Sequence, residues 1–292
     1  MLDPVRLRLL CELAHRGTMT AVAAACGLTS SGVSQQLATL EREAKVRLFE
    51  RAGRRVRLTA EGHRLVGHAQ AVLDALEAAQ ADLRAAGTPR GPLRVACFAT
   101  AAAQRLLPAI ALARPLYPEL HLIVHELEPG EAVAAVREGR CDMAITYSYN
   151  VTPQRTAPGL VLEPLGTEPV LVALPEGHRD TGENVDLRLL EREQWIAGSR
   201  GTADHELIQR ACATAGFLPN ITHTADDYAL ILRMVRHGLG AALVPELAAV
   251  WGLPPGVRLL PITTAHLTRH THVLTRQATT RLPAIRALIE LL

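Results

Sequence analysis

The sequence predicts a small all-α head with a β-hairpin wing, one long helix, and an α/β body folded as two lobes. Three observations carry this. Residues 1–66 hold 11 basic and 6 acidic side chains, a net +5, whereas the rest hold 20 and 23, a net −3. A heptad-spaced stretch fills 59–86 without a proline. Beyond it, short apolar runs alternate with amphipathic stretches, the pattern of strands covered by helices.

Composition sets the limits. At 292 residues, two or three domains are expected. Apolar residues at 48% and charged residues at 21% exclude wholesale disorder. Only 3% is aromatic, so the core rests on Leu, Val and Ala. No run of about 18 apolar residues suggests a membrane span. The opening residues, with Asp3, Arg6 and Arg8, lack the basic-then-apolar plan of a signal peptide, so the cytoplasm is the expected compartment. Five cysteines without CxxC spacing argue against a disulfide framework or structural zinc. They read as small buried hydrophobes, a redox sensor being the alternative.

In the head, Asp3 caps a helix with Pro4 in its first turn, Leu7, Leu10, Leu13 and Ala14 mark its buried face, and Gly17 stops it. Thr18 caps a second helix that ends at Gly27. A third runs over 30–43, with Val33, Leu37 and Leu40 on one face and Ser31, Ser34, Gln35 and Ala38 opposite. Two short helices about a glycine turn, the second with small hydrogen-bonding side chains outward, fit a helix-turn-helix. A plain helical hairpin fits the same residues. Two short extended pieces about Gly53 follow, rich in arginine, and read as a wing. The basic segment suits a polyanion, although a solvated charged face has the same composition.

Ala23 to Leu28, Val33-Ser34-Gln35-Gln36-Leu37, Leu40-Glu41, Val46-Arg47-Leu48-Phe49-Glu50-Arg51 and Leu58-Thr59-Ala60-Glu61-Gly62 together resemble the DNA-binding domain of LysR-type transcriptional regulators. Departures are Ser30 for a usual Gln, Gly32 for a usual Ala, Lys45 for the usual turn glycine and Cys26 for a core Leu. The resemblance implies double-stranded DNA as partner, read as an interrupted inverted repeat. The expected contacts are Thr29, Ser30, Ser31, Ser34 and Gln35 from the third helix, and Arg51, Arg54 and Arg55 from the wing. It also implies RNA polymerase as a partner.

Leu65, Ala69, Val72, Leu76, Ala79 and Leu83 recur at spacings of 4 and 3, a seam wanting a partner helix. The protein's own body is the alternative partner; the resemblance implies a dimer, with tetramers through the remaining domain. The segment 87–92 breaks the helix.

The body reads as strands at 93–98, 120–127, 143–147, 170–174, 195–197, 221–224, 241–244 and 271–275. Helices fill 101–116, 131–137, 202–215, 226–237 and 283–291. Leu106-Leu107-Pro108, Tyr117-Pro118, Asp142-Met143-Ala144-Ile145 and 238–245 resemble the effector domain of the same regulators, itself similar to type 2 periplasmic binding proteins. The expected organisation is a winged head at 1–58, a linker helix at 59–87 and an effector domain at 88–292. Within the last, 91–163 with 268–292 forms lobe one and 164–267 lobe two.

Ligands of such lobes sit beyond the carboxyl ends of strands. That nominates Thr100, Ala101, Tyr147, Ser199, Arg200, Thr202 and Asp226. Helix N-termini at Ala101 and Thr202, with Arg200, favour an anionic effector; Asp226 caps its helix or holds an amine. Gly238-Leu239-Gly240 mimics a dinucleotide fingerprint, but with a helix before it and a strand after, the reverse of the required order. The pairs His121/His125 and His270/His272 lack companions at metal-ligand spacing, and no nucleophile elbow or HExxH occurs. No cofactor, metal or catalysis is therefore expected, and no membrane partner. The expected function is a transcription factor answering a small effector between its lobes, a redox- or metal-responsive regulator or a solute-binding module being the alternatives.

Overall fold

The computed structural model describes all residues except 53–54, 85–86, 153–158, 179–181 and 250, and leaves out the side chains of 51–52, 55, 77–78 and 80–84. The head comprises α1 (Pro4–Arg16), α2 (Met19–Cys26) and α3 (Ser30–Ala44). Its ends are those the sequence marks. Asp3 accepts from the Val5 N–H at 2.7 Å, Thr18 from Ala21 at 3.3 Å, and Gly17 and Gly27 close their helices in the left-handed region, at φ 70° and 66°. Leu7, Leu10, Leu13, Val22, Val33, Leu37 and Leu40 form one buried cluster. Lys45 keeps the turn after α3 at φ 56°, a conformation costing a side-chain-bearing residue about 1 kcal/mol. The wing pairs β1 (Phe49–Ala52) with β2 (Arg55–Leu58), Phe49 opposite Leu58. Glu41 anchors its start by accepting from the Leu48 N–H at 2.8 Å.

α4 (Ala60–Arg84) follows. A Cβ at Gly62 would lie 2.0 Å from the Leu48 carbonyl oxygen, a backbone atom that cannot step aside. Gly62→Ala is therefore expected to lower stability by about 2–3 kcal/mol, read as a drop in the thermal midpoint; an unchanged midpoint would show that the linker and wing are not in register.

The seam expectation needs correction in its first half. Leu65 packs against the head's core and Ala69 belongs to it, because α1 already occupies that flank of α4. Val72, Leu76 and Ala79 remain exposed; the Leu83 side chain lies outside the described residues. On the opposite flank Asp74 is buried and forms an ion pair with Arg276 of the body. Gln70 donates to Asp74 at 2.9 Å, and Arg276 donates to the Val136 and Cys141 carbonyls at 2.7 and 2.9 Å.

The body opens with β3 (Gly91–Cys97) and a helix that begins at α5 (Ala99–Ala101), widens into a π-turn at Ala102–Leu106 and continues as α6 (Leu107–Leu116). Then come β4 (Leu120–Glu126), α7 (Pro129–Arg137), β5 (Met143–Tyr149) and β6 (Leu160–Pro175). The second lobe adds β7 (Gln194–Ala197), α8 (Ala203–Thr214), β8 (Asn220–Thr224), α9 (Tyr228–Arg236), β9 (Ala242–Pro245) and β10 (Val257–Leu260). β11 (Thr268–Arg276) and α10 (Pro283–Ile289) complete the chain.

The main sheet runs β10-β6-β11-β5-β3-β4, with β9 also on β6, while β7 and β8 pair separately. β3 is parallel to β4 and β5, as the βαβ pattern requires. β11 is antiparallel to both β5 and β6, so the sheet is mixed. β6 is three times the expected length. Its first half pairs with β11 up to Pro169 and its second with β9 and β10, so this one strand carries the chain from lobe one into lobe two. Glu163, Pro164, Gly166, Thr167 and Glu168 interrupt any apolar run in the first half, which hid it; β10, four residues long, was not anticipated.

Candidate functional site

Two surfaces bear on function. The first is the outer face of α3. With Val33, Leu37 and Leu40 turned inward, Thr29, Ser30, Ser31 and Gln35 stand exposed and Ser34 half-buried. Thr29 caps the helix, accepting from the Gly32 N–H at 3.1 Å. A Cβ at residue 32 would sit 3.1 Å from that hydroxyl oxygen, so glycine gives the cap room. Arg6 braces the adjacent turn by donating to Gln36 at 2.9 Å. Arg51 and Arg55 lie on the paired wing strands; their side chains, and Arg54 altogether, lie outside the described residues.

The second surface lies between the lobes. Tyr147 and Tyr149 are two apart on β5 and project from one face of the sheet. Both reach Asp204, in the first turn of α8 on the other lobe, donating at 3.0 and 2.5 Å. Tyr228, opening α9, donates to the same carboxylate at 3.1 Å. The Tyr147 hydroxyl also lies 3.0 Å from Glu128, so its single proton serves one of the two carboxyl groups at a time. Burial, and then the Asp204 charge, push the Glu128 carboxyl up to about 7. Burial followed by the same charge holds all three tyrosine hydroxyls well above their usual range, so they are neutral donors. Beneath them Arg269 is wholly buried. It donates to Glu168 at 2.8 Å and Thr100 at 3.1 Å, with its guanidinium carbon 5.0 and 5.2 Å from the Phe98 and Tyr147 ring centres.

Thr100 and Tyr147 thus fall in this cluster, with Ala101 buried beside Thr100. The other nominated residues have different tasks. Thr202 caps α8, accepting from the His205 N–H at 3.2 Å and donating to the Ser199 carbonyl at 2.7 Å. Asp226 does not cap α9. Its neighbour Asp227 does, accepting from Leu230 at 2.7 Å, while Asp226 accepts from the Ser199 N–H and hydroxyl at 2.7 and 2.5 Å. Arg200 is exposed. The helix starts at Ala99, earlier than expected. Two carboxylates weigh against the anionic effector expected from free helix ends: Asp204 already occupies the first turn of α8, and Glu128 shares the Tyr147 hydroxyl with it. Glu128, Tyr149, Glu168, Asp204, Tyr228 and Arg269 were not foreseen. One signal was available, since the sequence has four tyrosines and three converge on Asp204.

Cys97, Cys141 and Cys212 are buried and Cys11 and Cys26 half-buried. Burial pushes the Cys11, Cys97 and Cys212 thiols up to about 12 and raises that of Cys141. Among the described residues, no three His, Cys, Asp or Glu side chains are placed to hold a metal ion, and no helix is long and apolar enough to cross a membrane. Gly238 stands at φ 72° after α9 and before β9, the order opposite to a dinucleotide site.

The family profile described as the LysR substrate binding domain matches residues 86–292, and that of the bacterial regulatory helix-turn-helix protein, lysR family, matches 5–63. The chain is a LysR-type transcriptional regulator. A probable hydrogen peroxide-inducible genes activator of Mycobacterium xenopi is 38% identical to the regulator over 61% of its length and 92% of the relative's. Its counterpart in Mycobacterium leprae is 30% identical over 83% and 78%. A full-length OxyR point variant of Pseudomonas aeruginosa shares the fold, with a TM-score of 0.78 at 23% identity, covering 99% of the regulator and 97% of that chain.

Proposed function

We propose that the regulator reads an interrupted inverted repeat in double-stranded DNA as a homodimer in the cytoplasm, and acts on RNA polymerase when a small effector enters the interlobe cleft. It works by binding, without covalent chemistry. The proposed divisions are the winged head at 1–58, the linker at 59–87 and the effector domain at 88–292. The observation that carries the reading is the polar face of α3 at Thr29, Ser30, Ser31, Ser34 and Gln35, set opposite a fully buried apolar face. Small polar side chains let such a helix seat in the major groove and bond base edges. Arg51 and Arg55 follow on the paired wing strands and, with Arg54 beside them in the sequence, would supply phosphate contacts.

Gln35→Ala is expected to cost about 1–3 kcal/mol on the specific site and to relax preference at one position. Arg55→Ala is expected to weaken all sequences alike and flatten the salt dependence. Titrations on specific and random duplexes separate the two; equal losses on both for Gln35→Ala would remove its base-reading role.

A peroxide-responsive reading draws support from the names of the two mycobacterial relatives. The buried thiols oppose it. The thiolate is the form that peroxide oxidises, and burial keeps Cys97, Cys141 and Cys212 protonated at neutral pH. Non-covalent effector binding is the reading adopted.

A further inference from the structure

A separate cleft of about 550 Å³ opens in lobe two between α9 and the segment that follows Ala248, a volume usual for a small-ligand site. One wall is a stripe of α9 and its cap. Leu232, Arg233, Arg236 and His237 share a face there, at helical spacings of three and four. The facing wall holds Trp251, Pro254 and Pro255. None of the lining residues belongs to the interlobe cluster, and no carboxylate is among them. Arg233 and Arg236 are exposed, and among the described residues neither side chain has a hydrogen-bond or ion-pair partner. Like charges three apart on a helix repel, and nothing in the cleft offsets them. Nor does the helix end require them. The Arg233, Met234 and Val235 carbonyls accept from the backbone N–H groups of His237, Leu239 and Gly238, at 3.1, 3.1 and 2.9 Å. Trp251 is 52% exposed, whereas Trp195, the other tryptophan, is wholly buried. An open indole beside two proline rings is a stacking surface.

A simple monoanion would match one guanidinium and leave the other repelled. A compact polyanion would leave the indole bare. Guanidinium forks fit phosphate oxygens bidentately, and a phosphomonoester carries about −1.5 to −2 near neutral pH. We propose that this cleft binds a planar phosphomonoester of nucleoside monophosphate size, its phosphate across Arg233 and Arg236 and its ring on Trp251. His237, on the same stripe, supplies a further ring nitrogen for the phosphate. The site is placed to be heard elsewhere. Tyr228, which opens α9, reaches Asp204 and Tyr149 at 3.1 and 3.3 Å, and Arg236 ends the same helix about 12 Å along it. An occupant therefore bears on the helix that helps hold the lobes together.

Trp251 emission and calorimetry on the full chain test this. The probes are adenosine and guanosine 5′-monophosphates, their nucleosides, ribose 5-phosphate, inorganic phosphate and phenylacetate. The expected result is a change in emission with at least one nucleotide, bound at least tenfold more tightly than its nucleoside, ribose 5-phosphate, phosphate or phenylacetate. Arg233→Gln and Arg236→Gln, both at exposed positions that keep the fold, should each weaken binding at least tenfold. Trp251→Phe should abolish the emission change while calorimetry still records binding. A nucleoside or phenylacetate that equals the nucleotide overturns the phosphate, and an equal ribose 5-phosphate or inorganic phosphate overturns the stacked ring. Nucleotide binding that neither arginine variant changes lies elsewhere, as on the DNA-reading head, and overturns the site. Silence with both nucleotides overturns the proposal.

Discussion

Leu76→Glu is expected to leave the regulator monomeric and to lose about a hundredfold or more of its affinity for an inverted repeat. The exposed flank of α4 carries Val72 at 45% and Leu76 at 41% of full exposure, with Ala79 also exposed. The other flank is committed, with Leu73 and Asp74 buried. Among its described side chains such a helix has an apolar stripe left for a second copy, and a glutamate in that stripe places two like charges across the dimer axis. Two heads held on one dimer bind the second half-site intramolecularly, a gain of about 10²–10⁴ that a monomer forfeits. Sedimentation velocity with titration on full and half sites checks both parts. A variant that stays dimeric would place the interface elsewhere, and one that becomes monomeric yet binds the full repeat as before would remove the link between assembly and reading.

Removing one partner of the Asp74–Arg276 pair is expected to cost about 3–5 kcal/mol. Asp74 is 1% exposed and the Arg276 side chain 7%, so either single variant strands a buried charge. Arg276→Met should cost more than Asp74→Leu, because Arg276 also serves the Val136 carbonyl at the end of α7 and that of Cys141 in the loop after it. The double variant should recover part of the loss, since an apolar pair of similar volume avoids the uncompensated charge. Chemical denaturation of the four species measures the cycle; single losses under about 1 kcal/mol would show the pair to be solvent-screened. The pair joins the linker helix to the last strand of lobe one, so the singles are also expected to uncouple operator affinity from effector concentration.

The head was legible because local chemistry decides it. Asp3, Gly17, Thr18 and Gly27 mark helix ends through bonds to residues four or fewer away, and the buried stripe at Val33, Leu37 and Leu40 repeats along one helix. What failed was long-range. A heptad pattern cannot distinguish a partner helix from the chain's own α1, which claimed Leu65 and Ala69. Of the neighbouring aspartates 226 and 227, either satisfies a capping pattern, and the path of the Ser199 loop assigned the roles. Tyr147 could be nominated from its strand end, but its partner Asp204 is 57 residues on and Arg269 pairs with Tyr149 only through sheet register. The nominated hydroxyls proved to be already satisfied, Thr202 by its own loop and Ser199 by Asp226, 27 residues on.

Lys45, which holds the left-handed corner after α3, is the only lysine in the sequence. It is exposed, and every other basic side chain apart from histidine is an arginine, inert to acylation at neutral pH. Amine-directed reagents thus have one side-chain target, at the corner where α3 hands over to the wing. A dye coupled there, with the N-terminal amine quenched beforehand at lower pH, would report on operator engagement without any engineered residue.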